Sequence, residues 1–125
     1  MLQFLDPFFL NIRYPFIDIV NRLVELGGRE LVMGKGRQGY TTLHCAYKSD
    51  NPSIEVIKKL IEVGERALVT EKCKYGDTAL HFECKSDNPS IEIVNRLIEI
   101  GGRELVMGKN GKGNTALQHG CESSN

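Results

Sequence analysis

The stretch GDTALHFECKSDNPSIE, residues 76–92, is nearly a copy of GYTTLHCAYKSDNPSIE, residues 39–55. The two stretches lie 37 residues apart and are identical at 12 of 17 positions. The same interval separates Gly39, Gly76 and Gly113, each of which begins a Gly-x-Thr-x-Leu motif. A fixed period of this size is typical of stacked supersecondary units, each of which needs its neighbours to bury its apolar face.

The period extends along the whole chain. The stretch IDIVNRLVELGGRELVMG from Ile17 matches IEIVNRLIEIGGRELVMG from Ile91 at 15 of 18 positions, two periods later. We therefore predict one domain of 125 residues, whose units span about 1–38, 39–75 and 76–112, with a partial unit at 113–125.

Each unit is predicted to contain two helices. Thr78 is a suitable N-cap for the first helix of the third unit, and SDNPS, residues 86–90, interrupts the chain after it. Asn88 is predicted as the N-cap of the second helix, because Pro89 then takes the first helical position. Gly101 and Gly102 are predicted to end that helix.

The second helix has an apolar face and a charged one. Glu92 and Arg96 are predicted to pair at i, i+4 on the charged side. The apolar side chains follow at helical spacing and are Ile91, Ile93, Val94, Leu97 and Ile98. The predicted fold class is therefore all-α.

These motifs resemble those of a known family. TTLH (41–44) and TALH (78–81) resemble the Thr-Pro-Leu-His signature of ankyrin repeats, and IEIVNRLIEIGG (91–102) resembles that family's second helix. The resemblance covers about residues 14–122 and is weaker in the first and last units. It implies an ankyrin-type solenoid of stacked helix-turn-helix units with hairpin loops.

The period of 37 residues exceeds the family's usual length of about 33. Comparison with the family pattern places two extra residues at SDNP and two more in the hairpin loop between Gly101 and Gly113. Both insertions fall in loops, where added residues cost little stability.

The resemblance implies a structural role for His44 and His81, which with the threonine before them hold turn backbone within and between units. Gln118 occupies the same position in the last unit. A catalytic histidine would need a nucleophile or carboxylate partner, and none recurs at a fixed spacing from these residues. The sequence therefore gives no support for an enzyme.

A metal site is the main alternative to a structural role for these histidines and the nearby cysteines. His81 and Cys84 could combine with His119 and Cys121, but zinc-knuckle spacing is absent and both cysteines stand where the family has a small buried residue. We predict core cysteines there and a more exposed thiol at Cys73. The sequence predicts no bound metal or cofactor.

The glycine-rich segments GKGRQG (34–39) and GKNGKG (108–113) resemble a phosphate-binding loop superficially. Their last glycine is followed by tyrosine or asparagine, whereas a P-loop requires Gly-Lys-Ser/Thr. Turn formation is the prediction for both segments.

Glu83 departs from the repeat pattern. The same position holds Ala46 in the second unit and Gly120 in the last. Because burying an unpaired carboxylate is costly, we expect Glu83 either to reach solvent or to pair with a nearby lysine or arginine.

The resemblance implies a concave recognition surface, built from the hairpin tips and the exposed ends of the first helices. Five of the matching residues are Lys or Arg and only Asp77 is acidic, which favours an acidic or mixed-polar partner. The predicted partner-binding residues are Arg37, Gln38, Tyr40, Lys48, Lys74, Tyr75, Asp77, Lys85, Lys112 and Asn114, with Ser49 and Ser86 beside them.

The two ends of the chain predict association. Leu2, Phe4 and Phe9 belong to an apolar N-terminal stretch, and the last unit has no predicted second helix. Terminal repeats normally present a polar outer face. We expect a fragment of a longer array, or self-association or partner binding through the apolar ends.

Charge and composition narrow the partner class. Lys plus Arg and Asp plus Glu both number 16, so the sequence does not favour nucleic acid, and no apolar run approaches the ~20 residues that span a membrane. The four cysteines follow no signal peptide and form no secreted framework, which predicts an intracellular protein of the cytoplasm, with the nucleus as the alternative.

The favoured function is a scaffold for protein–protein interaction. The alternative is a structural spacer or accessory repeat segment of a larger protein, which includes a larger enzyme. A partner retained through the Tyr40 and Tyr75 face would distinguish the first from the second.

Overall fold

The computed structural model describes residues 16–49 and 52–123. These residues form six α-helices and one 3₁₀ turn, Arg37–Gly39. Within the described ranges the only β-type pairing is an isolated bridge between Lys35 and Thr41. The prediction of an all-α protein is confirmed. The helices are α1 (Phe16–Met33), α2 (Thr42–Tyr47), α3 (Ile54–Val69), α4 (Ala79–Lys85), α5 (Ile91–Met107) and α6 (Ala116–Ser123).

Long and short helices form two layers. The long helices pack in chain order, α1 against α3 and α3 against α5, and the short helices do the same, α2 against α4 and α4 against α6. Each of α2 and α4 also packs against the long helix that follows it. One buried cluster runs along these contacts, with Ile61, Leu68, Ile93 and Leu97 among its least exposed side chains.

Threonine and serine caps set where the helices begin. Thr78 precedes α4 as predicted, Thr41 precedes α2 in the same way, and Ser53 and Ser90 precede α3 and α5. The prediction of Asn88 as the N-cap of α5 is wrong, since the Ser90 hydroxyl accepts the amide of Ile93 and the helix begins at Ile91.

A kink recurs at one position of every long helix. Gly28, Glu65 and Gly102 have positive φ values of 60°, 53° and 70°, and helical turns resume beyond each of them. The double glycine therefore interrupts the helical backbone where the prediction ended the helix, and a further helical segment continues from there to Met107. Arginines of the preceding unit hydrogen-bond to carbonyls beside the kink, Arg29 to Gly64 and Arg66 to Ile100 and Gly101.

The apolar face of α5 is narrower than predicted. Leu97 and Ile93 are buried, but Ile91 is 72% exposed and Ile98 is 37% exposed. The predicted pair within α5 is replaced by other ion pairs. Glu92 pairs with Lys58 of α3, and Arg96 pairs with Glu99.

The predictions about the apolar N-terminal stretch fall on residues outside the described ranges. Among the helices that are described, none combines enough length with enough apolar character to cross a bilayer.

Candidate binding surface

Three hairpin tips lie side by side. They comprise residues 34–41, 71–78 and 108–115, and we call them the hairpin row. The amide of Lys74 donates to the carbonyl of Gln38 (2.7 Å), and the amide of Gly111 donates to the carbonyl of Tyr75 (2.8 Å). These two bonds join equivalent positions one period apart, so each tip is fixed to the next in the same way.

Buried histidines join the short helices to the hairpin row. The amide of Thr41 donates to Nδ1 of His44, so the ring proton is on Nε2, which donates to the carbonyl of Asp77 (3.2 Å). His81 repeats this arrangement with Thr78 and the carbonyl of Asn114 (3.0 Å). Burial lowers the pKa of His44, which favours the neutral ring that these bonds require. Both rings are thus engaged on both sides by structural partners.

Direct contacts join some of the predicted partner-binding residues, Gln38 with Lys74 and Tyr75, and Tyr40 with Lys48. The predicted residues of the second unit are Arg37, Gln38, Tyr40, Lys48 and Ser49, those of the third are Lys74, Tyr75, Asp77, Lys85 and Ser86, and those of the last are Lys112 and Asn114. Tyr75 is 52% exposed, and its hydroxyl donates to the side chain of Gln38 across the tips (2.7 Å). The tips are therefore linked by side chains as well as by backbone.

Aromatic rings support the second unit's part of the surface. The ammonium of Lys48 lies 4.2 Å from the centre of the Tyr40 ring. Tyr40 in turn contacts the rings of His44 and Phe82, and Phe82 stacks on Tyr47. Phe82, which the sequence did not single out, thereby links the units.

The cations of the surface lack acidic partners. None of the five predicted ones, Arg37, Lys48, Lys74, Lys85 and Lys112, pairs with a carboxylate among the described residues. The ion pairs that are present involve other cations and mostly lie on the long helices, as with Lys58 and Glu92. The acidic member of the set, Asp77, accepts a hydrogen bond from Asn110 (2.9 Å).

Asn110 organises the third tip, and the sequence did not reveal it. Its side-chain oxygen accepts the amides of Lys112 and Asn114, and the side chain is buried. Its amide also lies 3.5 Å from Nδ1 of His119. Burial, followed by the charge of Lys85, lowers the pKa of His119. An asparagine within the glycine-rich segment GKNGKG was the one signal available in the sequence.

Glu83 has neither of the two predicted environments. It is 3% exposed, and its carboxylate accepts the hydroxyl of Tyr47 (2.6 Å) and the amide of Ser90 (2.7 Å). Burial, and then the bond to Glu83, raise the pKa of Tyr47 and keep its proton in place. This network connects the second unit to the first turn of α5.

The cysteines differ from the prediction at Cys73 and at Cys121. Cys73 is buried instead of exposed, and the backbone of Gly39 in the neighbouring tip lies against its backbone. Cys84 is half-buried, whereas Cys121, predicted as a core residue, is exposed. In the described part of the chain, no three His, Cys, Asp or Glu side chains are grouped so as to hold a metal ion.

Two grooves cross the long helices. One, of about 620 Å³, is lined mainly by charged residues of α3 and α5, such as Lys58, Glu62 and Arg96. The other, of about 610 Å³, is apolar and lies between α1, α2 and α3. Neither groove includes a predicted partner-binding residue apart from Ser49 in the apolar one.

Comparison of the chain with models of protein families gives no match, and comparison with curated protein sequences gives none either.

Proposed function

We propose that this protein is an interaction module that binds a partner protein through the hairpin row and the adjoining ends of the short helices. In this proposal the units form an ankyrin-type solenoid, the surface is its concave face, and the chain acts without catalysis or a cofactor. The observation that carries the proposal is a set of five exposed cations without acidic partners among the described residues.

Rigidity of the surface supports the proposal. The tips are joined by the backbone bonds from Lys74 to Gln38 and from Gly111 to Tyr75, and the histidines hold them to the short helices. A surface that is already ordered loses little conformational entropy on binding. It is therefore well suited to contribute affinity through a few side chains.

Charge defines the kind of partner. Arg37 and Lys74 occupy equivalent positions of adjacent tips, as Lys48 and Lys85 do at the ends of adjacent short helices. A partner with several carboxylates would neutralise both pairs, whereas the ion pairs of the long helices are already satisfied within the chain. Exposed tyrosine and arginine, as at Tyr75 and Arg37, are the residue types most often found at binding hot spots.

The proposal is tested by comparing two variants of equal charge. Arg37→Glu with Lys74→Glu reverses two cations of the hairpin row, and Arg22→Glu with Arg96→Glu reverses two on the long helices. Each variant is used to capture proteins from a lysate of the source cells, and the captured proteins are identified by mass spectrometry. We expect a partner retained by the wild type and by the long-helix variant, and lost by the hairpin-row variant.

Capture should also weaken as ionic strength rises, because the contacts are exposed and electrostatic. A partner that both variants retain equally would contradict the proposed surface. The absence of any selectively captured protein would favour the structural spacer.

A further inference from the structure

One end of the helix stack exposes residues that the rest of the stack buries. Leu23 of α1 is 52% exposed, whereas its equivalents one and two periods later, Leu60 and Leu97, are 3% and 0% exposed. Ile19 and Leu31 of α1 are exposed as well, while their equivalents in α3 and α5 are buried. In α3 and α5, a preceding long helix and the short helix of the same unit pack on the helix. No such pair covers α1 in the described part of the chain.

The other end shows the complementary pattern. Ile98 and Val106 of α5 are 37% and 38% exposed, whereas their equivalents in α3, Ile61 and Val69, are fully buried beneath the next unit. Leu117 of α6 is 74% exposed, while the leucines at the same position of α2 and α4 are buried. This end therefore exposes the faces on which a following long helix would pack.

The apolar groove lies where the repeat places a short helix beside α1, and no helix in the described part of the chain fills it. It lies between α1, α2 and α3, and its lining includes Phe16, Val20, Leu23, Ala46 and Leu60. Within the other units, α2 packs beside α3 and α4 packs beside α5. The equivalent place beside α1 is this groove of about 610 Å³.

We propose that a second copy of this chain docks there, end to end. The short helix α6 of one copy enters the groove beside α1 of the next, and that α1 packs on α5 of the first copy. The two copies together complete one unit, with its short helix from one chain and its long helix from the other. The proposal is independent of the proposed partner binding.

The contacts at this junction continue those within the chain. The α1 region from Ile17 matches the α5 region from Ile91 at 15 of 18 positions, so α1 has the sequence of a helix that this stack accepts. The short helix α6 likewise shares with α4 the residues Ala116, Leu117 and Cys121 at equivalent positions. The area buried would resemble that between successive units, because the same elements meet.

Arginine at the kink supplies a polar contact for the same junction. Arg29 reaches the carbonyl of Gly64 in the next unit, and Arg66 reaches that of Gly101. The third residue of this series, Arg103, is exposed and has no hydrogen-bond partner among the described residues. At the junction it would face Gly27 of the second copy, which occupies the same position as Gly64.

The two docking surfaces differ, so the association is head-to-tail and can continue beyond two copies. This property separates it from a symmetric dimer and defines the test. Sedimentation is measured over a wide range of concentrations for the wild type and for Leu23→Glu and Leu117→Glu. Both leucines are largely exposed in the single chain, so the variants are expected to fold, which circular dichroism checks.

We expect the average mass of the wild type to rise with concentration to at least that of a dimer. Each variant alone should stay at the mass of one chain, 14.0 kDa. An equal mixture should form dimers and nothing larger, because the Leu117→Glu chain keeps an intact α1 end and the Leu23→Glu chain keeps an intact α5/α6 end. Arg22→Glu is the control, since its equivalents Lys59 and Arg96 remain accessible within the stack.

Three results would overturn the proposal. A wild type that remains monomeric throughout would mean that the groove is filled within the chain or stays open. Variants that still associate alone, or a mixture that stays monomeric, would rule out the head-to-tail junction. Ile19→Lys provides a second variant at the α1 end, should Leu23→Glu fail to fold.

Discussion

Replacing Tyr47 with phenylalanine removes one hydrogen bond from the buried network and changes little else. The phenyl ring keeps its stack on Phe82, at 6.0 Å between ring centres. What is lost is the hydroxyl that lies 2.6 Å from the carboxylate of Glu83. Because Glu83 is only 3% exposed, water has little access to replace the donor. The amide of Ser90 then remains as a donor to the other carboxylate oxygen.

A hydrogen bond to a charged group contributes about 1.5–3 kcal/mol, and a buried acceptor left without a donor loses that stabilisation. We therefore expect Tyr47→Phe to lower the free energy of unfolding by about 1.5–3 kcal/mol, measured by urea denaturation. Tyr75→Phe is the matched control, since its hydroxyl bonds to Gln38 at an exposed site. It should change stability by no more than ~0.5 kcal/mol.

The same pair is tested by a double-mutant cycle. In a Glu83→Ala background, Tyr47→Phe should cost much less than in the wild type, because the acceptor is already absent. A cost for Tyr47→Phe that equals that of Tyr75→Phe, or that persists in the Glu83→Ala background, would refute the reasoning.

Alkaline pH should report on the same tyrosine. Burial raises the pKa of Tyr47 in the fold above its ordinary value of 10.0. The unfolded chain therefore ionises first, so the contribution of Tyr47 is complete below pH 10.0 and decreases as the pH rises above it. Tyr47→Phe should remove this part of the alkaline loss of stability.

Four further changes test the fold, each by urea denaturation. Leu97→Ala should cost about 2–5 kcal/mol, because the side chain is fully buried; a neutral result would contradict the assigned core. Gly76→Ala should cost more than Gly113→Ala, since both glycines have positive φ but the new Cβ at residue 76 alone would meet the backbone of the next tip, at 2.7 Å. Glu65→Gly should stabilise by about 1 kcal/mol, because φ 53° and ψ −148° suit glycine; destabilisation would argue against strain there. Burial lowers the pKa of His44, so the free energy of unfolding should fall as the pH drops below the ordinary value of 6.5. His44→Gln should reduce this loss of stability. A pH profile that His44→Gln leaves unchanged would show that other groups cause the loss.

Features that repeat along the chain could be predicted from sequence, because equivalent residues in different units support the same structural assignment. The 37-residue period located the units, and Thr78 was identified as the cap of α4. The burial of Leu97 followed from helical spacing. The helical content followed from the same pattern and did not depend on the family resemblance.

Features that break the period were not predicted correctly. Glu83 meets Tyr47, which lies 36 residues earlier and at a different position of its unit, so comparing equivalent positions could not pair them. That carboxylate also accepts a hydrogen bond from the amide of Ser90, the residue that caps α5 in place of the predicted Asn88. Cys73 was expected to be the more exposed thiol, but it is buried, and the backbone of Gly39 in the neighbouring tip lies against its backbone.

The units differ most in the hairpin row, whereas Lys48 and Lys85, the other cations of the proposed surface, lie in a stretch that does not change. The tips read GKGRQ (34–38), EKCKY (71–75) and GKNGK (108–112), which share one lysine position, whereas KSDNPSIE recurs unchanged at 48–55 and 85–92. Backbone bonds join neighbouring tips whatever their side chains are, so these side chains are free to vary without loss of stacking. The residues at the two ends of the stack behave differently, since Leu23 and Leu117 keep the identity that their equivalents have in the core. Side chains that vary on a fixed backbone suit recognition of a different molecule, and side chains that stay core-like while exposed suit association with another copy of the same stack.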